Sequence, residues 1–212
     1  MKLIGMFDSP FVRPVAISMK LFGMPFEHLN WSTGKDFDRI REYNPLGRVP
    51  TLVLDDGESL AESSAILDYL DEQAGPERAL LPTSGRERRT ALQLIALANG
   101  SMDKGRDLLY ERIYRPEEKW HEPWLERCRK QMHGALAEIE RYVAQNGAKP
   151  WLVGGRMTRA DLMVTCIFTL QTDALASEFR PGDYPALRAY VARCEALPEF
   201  KEIREVWSPP KK

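Results

Sequence analysis

The sequence predicts an α/β half followed by an all-α half, and three observations predict it. Short apolar runs of strand length alternate with stretches of helical period up to about residue 75. Beyond a Gly- and Pro-rich break at Gly75–Gly85 the strand signals stop, and long stretches with apolar residues three and four apart take over. The chain has 212 residues, 43% hydrophobic and 29% charged, which is enough for one large or two small domains of ordinary globular composition.

Lys2–Met6 is a short apolar run that suits a buried strand. Val12, Val15, Ala16, Met19 and Phe22 then recur at helical spacing as far as Gly23. Pro25–Trp31 alternates loosely as a second strand, and Asp36–Glu42 is a short helix closed by the turn signal Asn44-Pro45-Leu46-Gly47. Thr51–Asp55 and Glu58–Leu60 flank Asp55-Asp56-Gly57, a strong hairpin signal. Ala65, Ile66, Tyr69 and Leu70 supply a third helix. The resulting order, βαβαββα, is that of a thioredoxin-like domain, expected over 1–76 with a linker at 77–85.

The second domain, 86–212, reads as an all-helical bundle. Its helices are expected at Arg86–Tyr110, Glu117–Gln145, Thr158–Ala176, Tyr184–Ala196 and Pro198–Val206, and Pro209-Pro210-Lys211-Lys212 is expected to fray. Thr158-Arg159-Ala160-Asp161 has capping-box spacing, with Met157 and Leu162 as the staple pair. Tyr110, Tyr114, Trp120 and Trp124 are expected in a core or an interface.

Lys and Arg number 30 against 31 Asp and Glu, a net charge of −1, which removes the footprint of a nucleic-acid binder or a polybasic membrane-surface protein. No apolar stretch approaches the roughly 20 residues that span a bilayer, and the N-terminus has no signal-peptide pattern, so the expected location is cytoplasmic. Cys128, Cys166 and Cys194 are widely spaced and lack a CxxC pair, so neither a disulfide framework nor a zinc site is expected. His28, His121 and His133 have no metal-ligand spacing.

Three segments carry candidate chemistry. Ser9 precedes Pro10 at the junction of the first strand and helix. As structure it is an N-cap before a proline at the first helical position. As function, the same place projects a hydroxyl from the positive end of a helix, where a thiolate is stabilised. A redox enzyme of this fold would hold Cys-x-x-Cys here. The chain has Ser9 and Val12, so any thiol must come from a ligand. Val49-Pro50 stands at the entrance to a strand, and a cis bond there would turn the Val49 backbone toward a peptide-like partner. Glu62 and Ser63 open the third helix, either as first-turn residues suited to the dipole or as a carboxylate and hydroxyl able to hold an amino-acid head.

In this order and spacing, Ser9-Pro10-Phe11-Val12-Arg13, Asn44 through Leu52, and Leu60 through Ile66 resemble the N-terminal domain of glutathione transferases, specifically bacterial serine-type members with a Ser-Pro-Phe-Val-Arg segment. The helical half resembles that family's second domain. The resemblance implies glutathione as cosubstrate and a small electrophile as second substrate, a homodimer, and a part in detoxification. It implies that Ser9 donates to the glutathione sulfur, that the Val49 backbone pairs with the cysteinyl part, and that Glu62 with Ser63 holds the γ-glutamyl end. Lys35, Arg48 or both would meet the glycyl carboxylate. Asn99, Met102, Asp103 and Arg106 would line the cosubstrate pocket or, by their own pattern, form a solvated helix face. The alternatives are a glutathione-dependent isomerase or peroxidase using the same thiolate, and a transferase-fold interaction protein without turnover.

Overall fold

The computed structural model describes residues 1–147 and 149–209, so the expected fraying at Pro210–Lys212 lies outside the described residues. The chain divides into two compact units. One is Met1–Thr83 with Ala196–Val206, and the other is Ser84–Glu195 with the last described residues from Trp207.

The first unit follows the predicted order. Its strands are β1 (Lys2–Ile4), β2 (Glu27–Leu29), β3 (Thr51–Val53) and β4 (Ser59–Ala61), and its helices are α1 (Val12–Phe22), α2 (Phe37–Arg41) and α3 (Ser63–Ala74). The sheet order is β2-β1-β3-β4, with β1 parallel to β2 and antiparallel to β3, and β3 antiparallel to β4. The β3–β4 hairpin turns on Asp55-Asp56-Gly57, where Gly57 takes φ +92° and Leu54 N–H donates to the Glu58 carbonyl at 2.8 Å. That left-handed position is why glycine stands there.

Both faces of the sheet are covered. α1 buries Val12, Val15, Ala16 and Met19, and packs against α3. Opposite, Ile4, Ile40 and Val53 form a small cluster under α2, with Leu29, Trp31, Tyr43 and Val49 against it. The break after α3 is irregular but anchored: Asp71 accepts the Leu80 and Leu81 N–H groups at 2.7 and 3.0 Å, and Ala79, Leu80 and Leu81 are buried.

The second unit contains α4 (Gly85–Tyr114), α5 (Glu122–Asn146), α6 (Arg159–Ala174) and α7 (Pro185–Glu195). The predicted start of α5 at Glu117 is corrected. Glu117–Lys119 forms a separate 3-10 turn, and Pro123, which suits the first turn of a helix, marks the true entry. α6 is the centre of the bundle, buried at every residue from Arg159 to Gln171, and it packs on α4 and α7. The final helix, α8 (Pro198–Glu202), belongs to the first unit and is shorter than the sequence predicts. Tyr110, Tyr114 and Trp124 are solvent-exposed rather than in the core of their unit.

The Thr158–Asp161 capping box forms as predicted. Asp161 does more than cap: fully buried, it also accepts the Leu152 N–H at 2.8 Å and the Tyr190 hydroxyl. Its charge is spread over donors from three places in the chain.

Candidate functional site

The Gly5–Pro10 loop delivers Ser9 to the start of α1. Arg13 N–H donates to the Ser9 carbonyl at 3.0 Å, the first i to i−4 bond of the winding, so Ser9 is the capping residue although regular helix begins at Val12. Ser9 Oγ lies 3.4 Å from both the Phe11 and Val12 N–H groups, the second and third positions of that first turn. Both contacts use the oxygen as acceptor. The hydroxyl proton is left to donate elsewhere, so the capping and ligand-binding readings of this residue do not compete.

The Val49-Pro50 bond is cis. The turn that leads into it is knitted by the buried Asn44, whose Nδ2 donates to the Arg48 carbonyl at 3.0 Å and to Thr51 Oγ1 at 3.1 Å while its Oδ1 accepts the Leu46 N–H. Val49 is half-buried and its backbone N–H has no protein partner among the described residues. Gly5, which no local motif marks, makes the approach possible. A Cβ there would sit 2.5 Å from Val12 Cγ2 and 2.8 Å from Val49 Cβ, and its φ is +132°. Gly5→Ala is therefore expected to cost about 2 kcal/mol of stability and to displace Val49, weakening ligand retention; denaturant unfolding and a binding assay check both.

Glu62, between β4 and α3, has φ +70° and ψ +133°, a conformation that a residue with a Cβ rarely adopts. Ile66 N–H donates to its carbonyl at 3.1 Å, so this strained residue opens the helix, with buried Ser63 next to it. Its carboxylate is half exposed and pairs with Arg48 Nη1 at 3.2 Å. Two of the sequence-predicted residues are thus joined to each other. Lys35 is exposed in the β2–α2 loop.

The sheet gathers these segments. Ile4, Thr51 and Ala61 stand in register in one row across β1, β3 and β4. The chain leaves β1 after Ile4 toward Ser9, enters β3 from Pro50 and leaves β4 into Glu62, so all three motifs meet one end of the sheet. At about 4.8 Å per strand, the row spans roughly 10 Å, the length of an extended tripeptide.

The protein's own sulfur is poorly suited to reaction. The three cysteines form no disulfide and are buried, and burial is the main cause pushing the Cys128 and Cys194 thiols up. Among the described residues no cluster suited to a metal ion occurs, and no helix is long and apolar enough to cross a membrane.

Arg13, four residues past Ser9, is buried and donates to the Ile203 and Phe200 carbonyls at 2.7 and 2.9 Å, tying α1 to the C-terminal segment. His28, given no role from sequence, holds the Gly5 carbonyl through Nε2 at 2.8 Å and stacks on Phe7. Nothing in the local pattern of β2 signals this.

Next to Ser9, burial first and the nearby Glu205 second push the Asp8 carboxyl from 3.8 up to about 6. The proton is held more tightly in the folded protein, so this contribution to stability is full below pH 3.8 and lost as the pH rises through about 6. Asp8→Asn is expected to be about 1–2 kcal/mol more stable than wild type at neutral pH, after discounting for partial exposure, and to lose that advantage in acid. Denaturant midpoints measured across this range check it.

Residues 3–78 match the glutathione S-transferase N-terminal domain, and residues 122–193 match the glutathione S-transferase C-terminal domain. The uncharacterised GST-like protein YibF of Escherichia coli is 34% identical over 149 residues, covering 70% of this chain and 73% of its own. The chain belongs to the glutathione S-transferase family. Among solved structures of this transferase family, one from Methylobacterium radiotolerans, in complex with glutathione sulfonate, has a TM-score of 0.88 at 29% identity, covering 100% of this chain and 97% of that one. Another relative, maleylacetoacetate isomerase of Pseudomonas aeruginosa, is 27% identical over 219 residues, covering 99% of this chain and 98% of its own.

Of the residues expected beside the cosubstrate in this transferase fold, Met102 is buried in the helical unit, and Asp103 and Arg106 pair with each other at 3.2 Å.

Proposed function

We propose that this chain is a bacterial serine-type glutathione transferase that binds glutathione along the Ile4–Thr51–Ala61 end of its sheet and activates the thiol for attack on a small electrophile. That row is the observation that carries the reading, because it brings a hydroxyl donor, a free peptide backbone and a carboxylate–hydroxyl pair to one end of the sheet at tripeptide spacing. Ser9 Oγ–H donates to the sulfur, and the first turn of α1 adds the positive end of its dipole. The Val49 N–H and carbonyl pair with the cysteinyl part. Glu62 accepts the γ-glutamyl ammonium, and Ser63 with the first turn of α3 donates to its carboxylate. Arg48 is partly engaged by Glu62, which leaves Lys35 to meet the glycyl carboxylate.

Stabilising the thiolate by about two pKa units requires roughly 2.7 kcal/mol, within reach of one hydroxyl donor and a helix terminus. The thiolate then forms a bond to the electrophilic carbon, and the leaving group departs with that carbon's bonding pair. The glutathione site lies in the N-terminal domain and the electrophile is taken by the helical domain, in a cytoplasmic homodimer. Retention on immobilised glutathione, followed by titration of the bound thiol, tests the reading. A folded protein that is not retained favours an interaction protein without turnover.

The full-length likeness to an isomerase favours a second reading, glutathione-dependent isomerisation at the same site. The two differ in the fate of glutathione: a transferase consumes one per turnover, whereas an isomerase returns it.

A further inference from the structure

We propose that Glu205, near the far end of the chain, is a positioning residue for Ser9: by accepting the Phe7 N–H it fixes the loop that presents the serine hydroxyl. The proposal rests on the reading of Ser9 as the thiol-binding group. Glu205 Oε2 accepts the Phe7 N–H at 3.2 Å, across 198 positions of sequence. On its other side Phe7 is held by its ring, which lies 3.7 Å from that of His28 and within 5° of parallel. Phe7 is thus gripped from two elements. Two residues on, Ser9 N–H donates to the Met6 carbonyl at 3.1 Å, so the backbone that Glu205 holds is the turn that aims Ser9.

Glu205 can do this because its own segment is tied down. Arg13 donates to the Phe200 and Ile203 carbonyls, and Lys20 pairs with Glu202. A side chain on an untethered tail would lose much of any such contact to conformational entropy.

The charged and titratable groups on the elements packed around the loop are Arg13 and Lys20 on α1, Glu27 and His28 on β2, and Glu199, Lys201, Glu202, Arg204 and Glu205 on the C-terminal segment. Arg13, Lys20 and His28 have the partners already described, and Glu205 is the charge that acts on Asp8. With both carboxylates ionised, negative charge accumulates beside Ser9 and opposes a thiolate there. The hydrogen bond and the charge of Glu205 therefore act in opposite directions on the bound thiol, and two substitutions separate them.

The test uses the full chain as wild type, Glu205→Ala and Glu205→Gln, each first checked for a cooperative melt. The ultraviolet absorbance of thiolate is then followed against pH with glutathione bound. Glu205→Ala is expected to raise the apparent pKa of the bound thiol by about one unit, about ten-fold less thiolate at a pH below both values. Its glutathione Kd is expected to change by less than about three-fold, because the contact acts on the activation of sulfur more than on binding. Glu205→Gln keeps an acceptor and removes the charge, so its thiol is expected to titrate no higher than in wild type. A bound thiol that titrates no higher in Glu205→Ala than in Glu205→Gln, the two variants that both lack the charge, overturns the proposal. If Glu205→Ala does not fold, Glu205→Asp, too short by one methylene, replaces it with the same expected rise. Amide exchange at Phe7 and Ser9 without ligand should be faster in the Ala or Asp variant. If wild type does not bind glutathione, the functional reading fails by itself, and exchange rates equal to wild type refute the clamp separately.

Discussion

Ser9→Ala is expected to lower turnover at neutral pH by about 3- to 20-fold while changing glutathione affinity by less than about three-fold. The size follows from what the hydroxyl can do for a thiol that titrates near 8.5 when free. If hydroxyl and helix end together depress it by about two units, loss of both would cut the thiolate population at neutral pH by about 25-fold, and loss of the hydroxyl alone, which leaves the dipole, by less than that. Binding is less affected, because the Val49 backbone, Glu62 and Ser63 are untouched. The cap contributes little: the Phe11 and Val12 contacts are long, at 3.4 Å, so the stability cost is expected to stay below about 1 kcal/mol. Steady-state kinetics, glutathione binding and a melt separate these effects. If the variant titrates bound thiol as wild type does, Ser9 is only a cap.

Asp161→Ala is expected to destabilise the protein by about 4 kcal/mol, well beyond the roughly 1 kcal/mol of a lost cap. Thr158 N–H and Oγ1–H reach Asp161 Oδ2 at 2.6 and 2.7 Å, and Leu152 N–H and the Tyr190 hydroxyl reach Oδ1. The residue is fully buried, so alanine leaves several donors without water to replace the carboxylate. Tyr190 remains a donor throughout the working pH range, because burial first, and then Asp161, push its phenol up. Asp161→Asn is expected to recover only part of the loss, since one side of its amide would present N–H to other donors. Chemical denaturation reads the difference. A cost of only 1 kcal/mol would mean that the Leu152 and Tyr190 contacts add nothing to the cap.

The two residues show how far local pattern reaches. Ser9 before Pro10 and Asp161 three residues past Thr158 are both visible as capping arrangements, because a cap is made within one helical turn. The Asp55-Asp56-Gly57 hairpin is legible for the same reason. Asp161's other donors are not, since Leu152 reaches it only when the loop before α6 folds back, and Tyr190 only when α6 and α7 pack. Nor does spacing reveal the Arg48–Glu62 pair, the left-handed Glu62, the close approach of Gly5 to Val49, the tie from Arg13 to the C-terminal segment, or the hold of His28 on the Gly5 carbonyl.

What the sequence by itself determined is the succession of strands and helices, the turns between them, and the polar residues placed at helix starts, because periodicity and capping act over a few neighbouring residues. The tertiary structure alone decided which ends of which strands share a row, and so that Ser9, Val49 and Glu62 lie beyond one end of the sheet. It also decided that Glu205 accepts the Phe7 N–H across 198 positions of sequence. These contacts join residues far apart in sequence, and they exist only once burial has brought their elements together; no local preference encodes them.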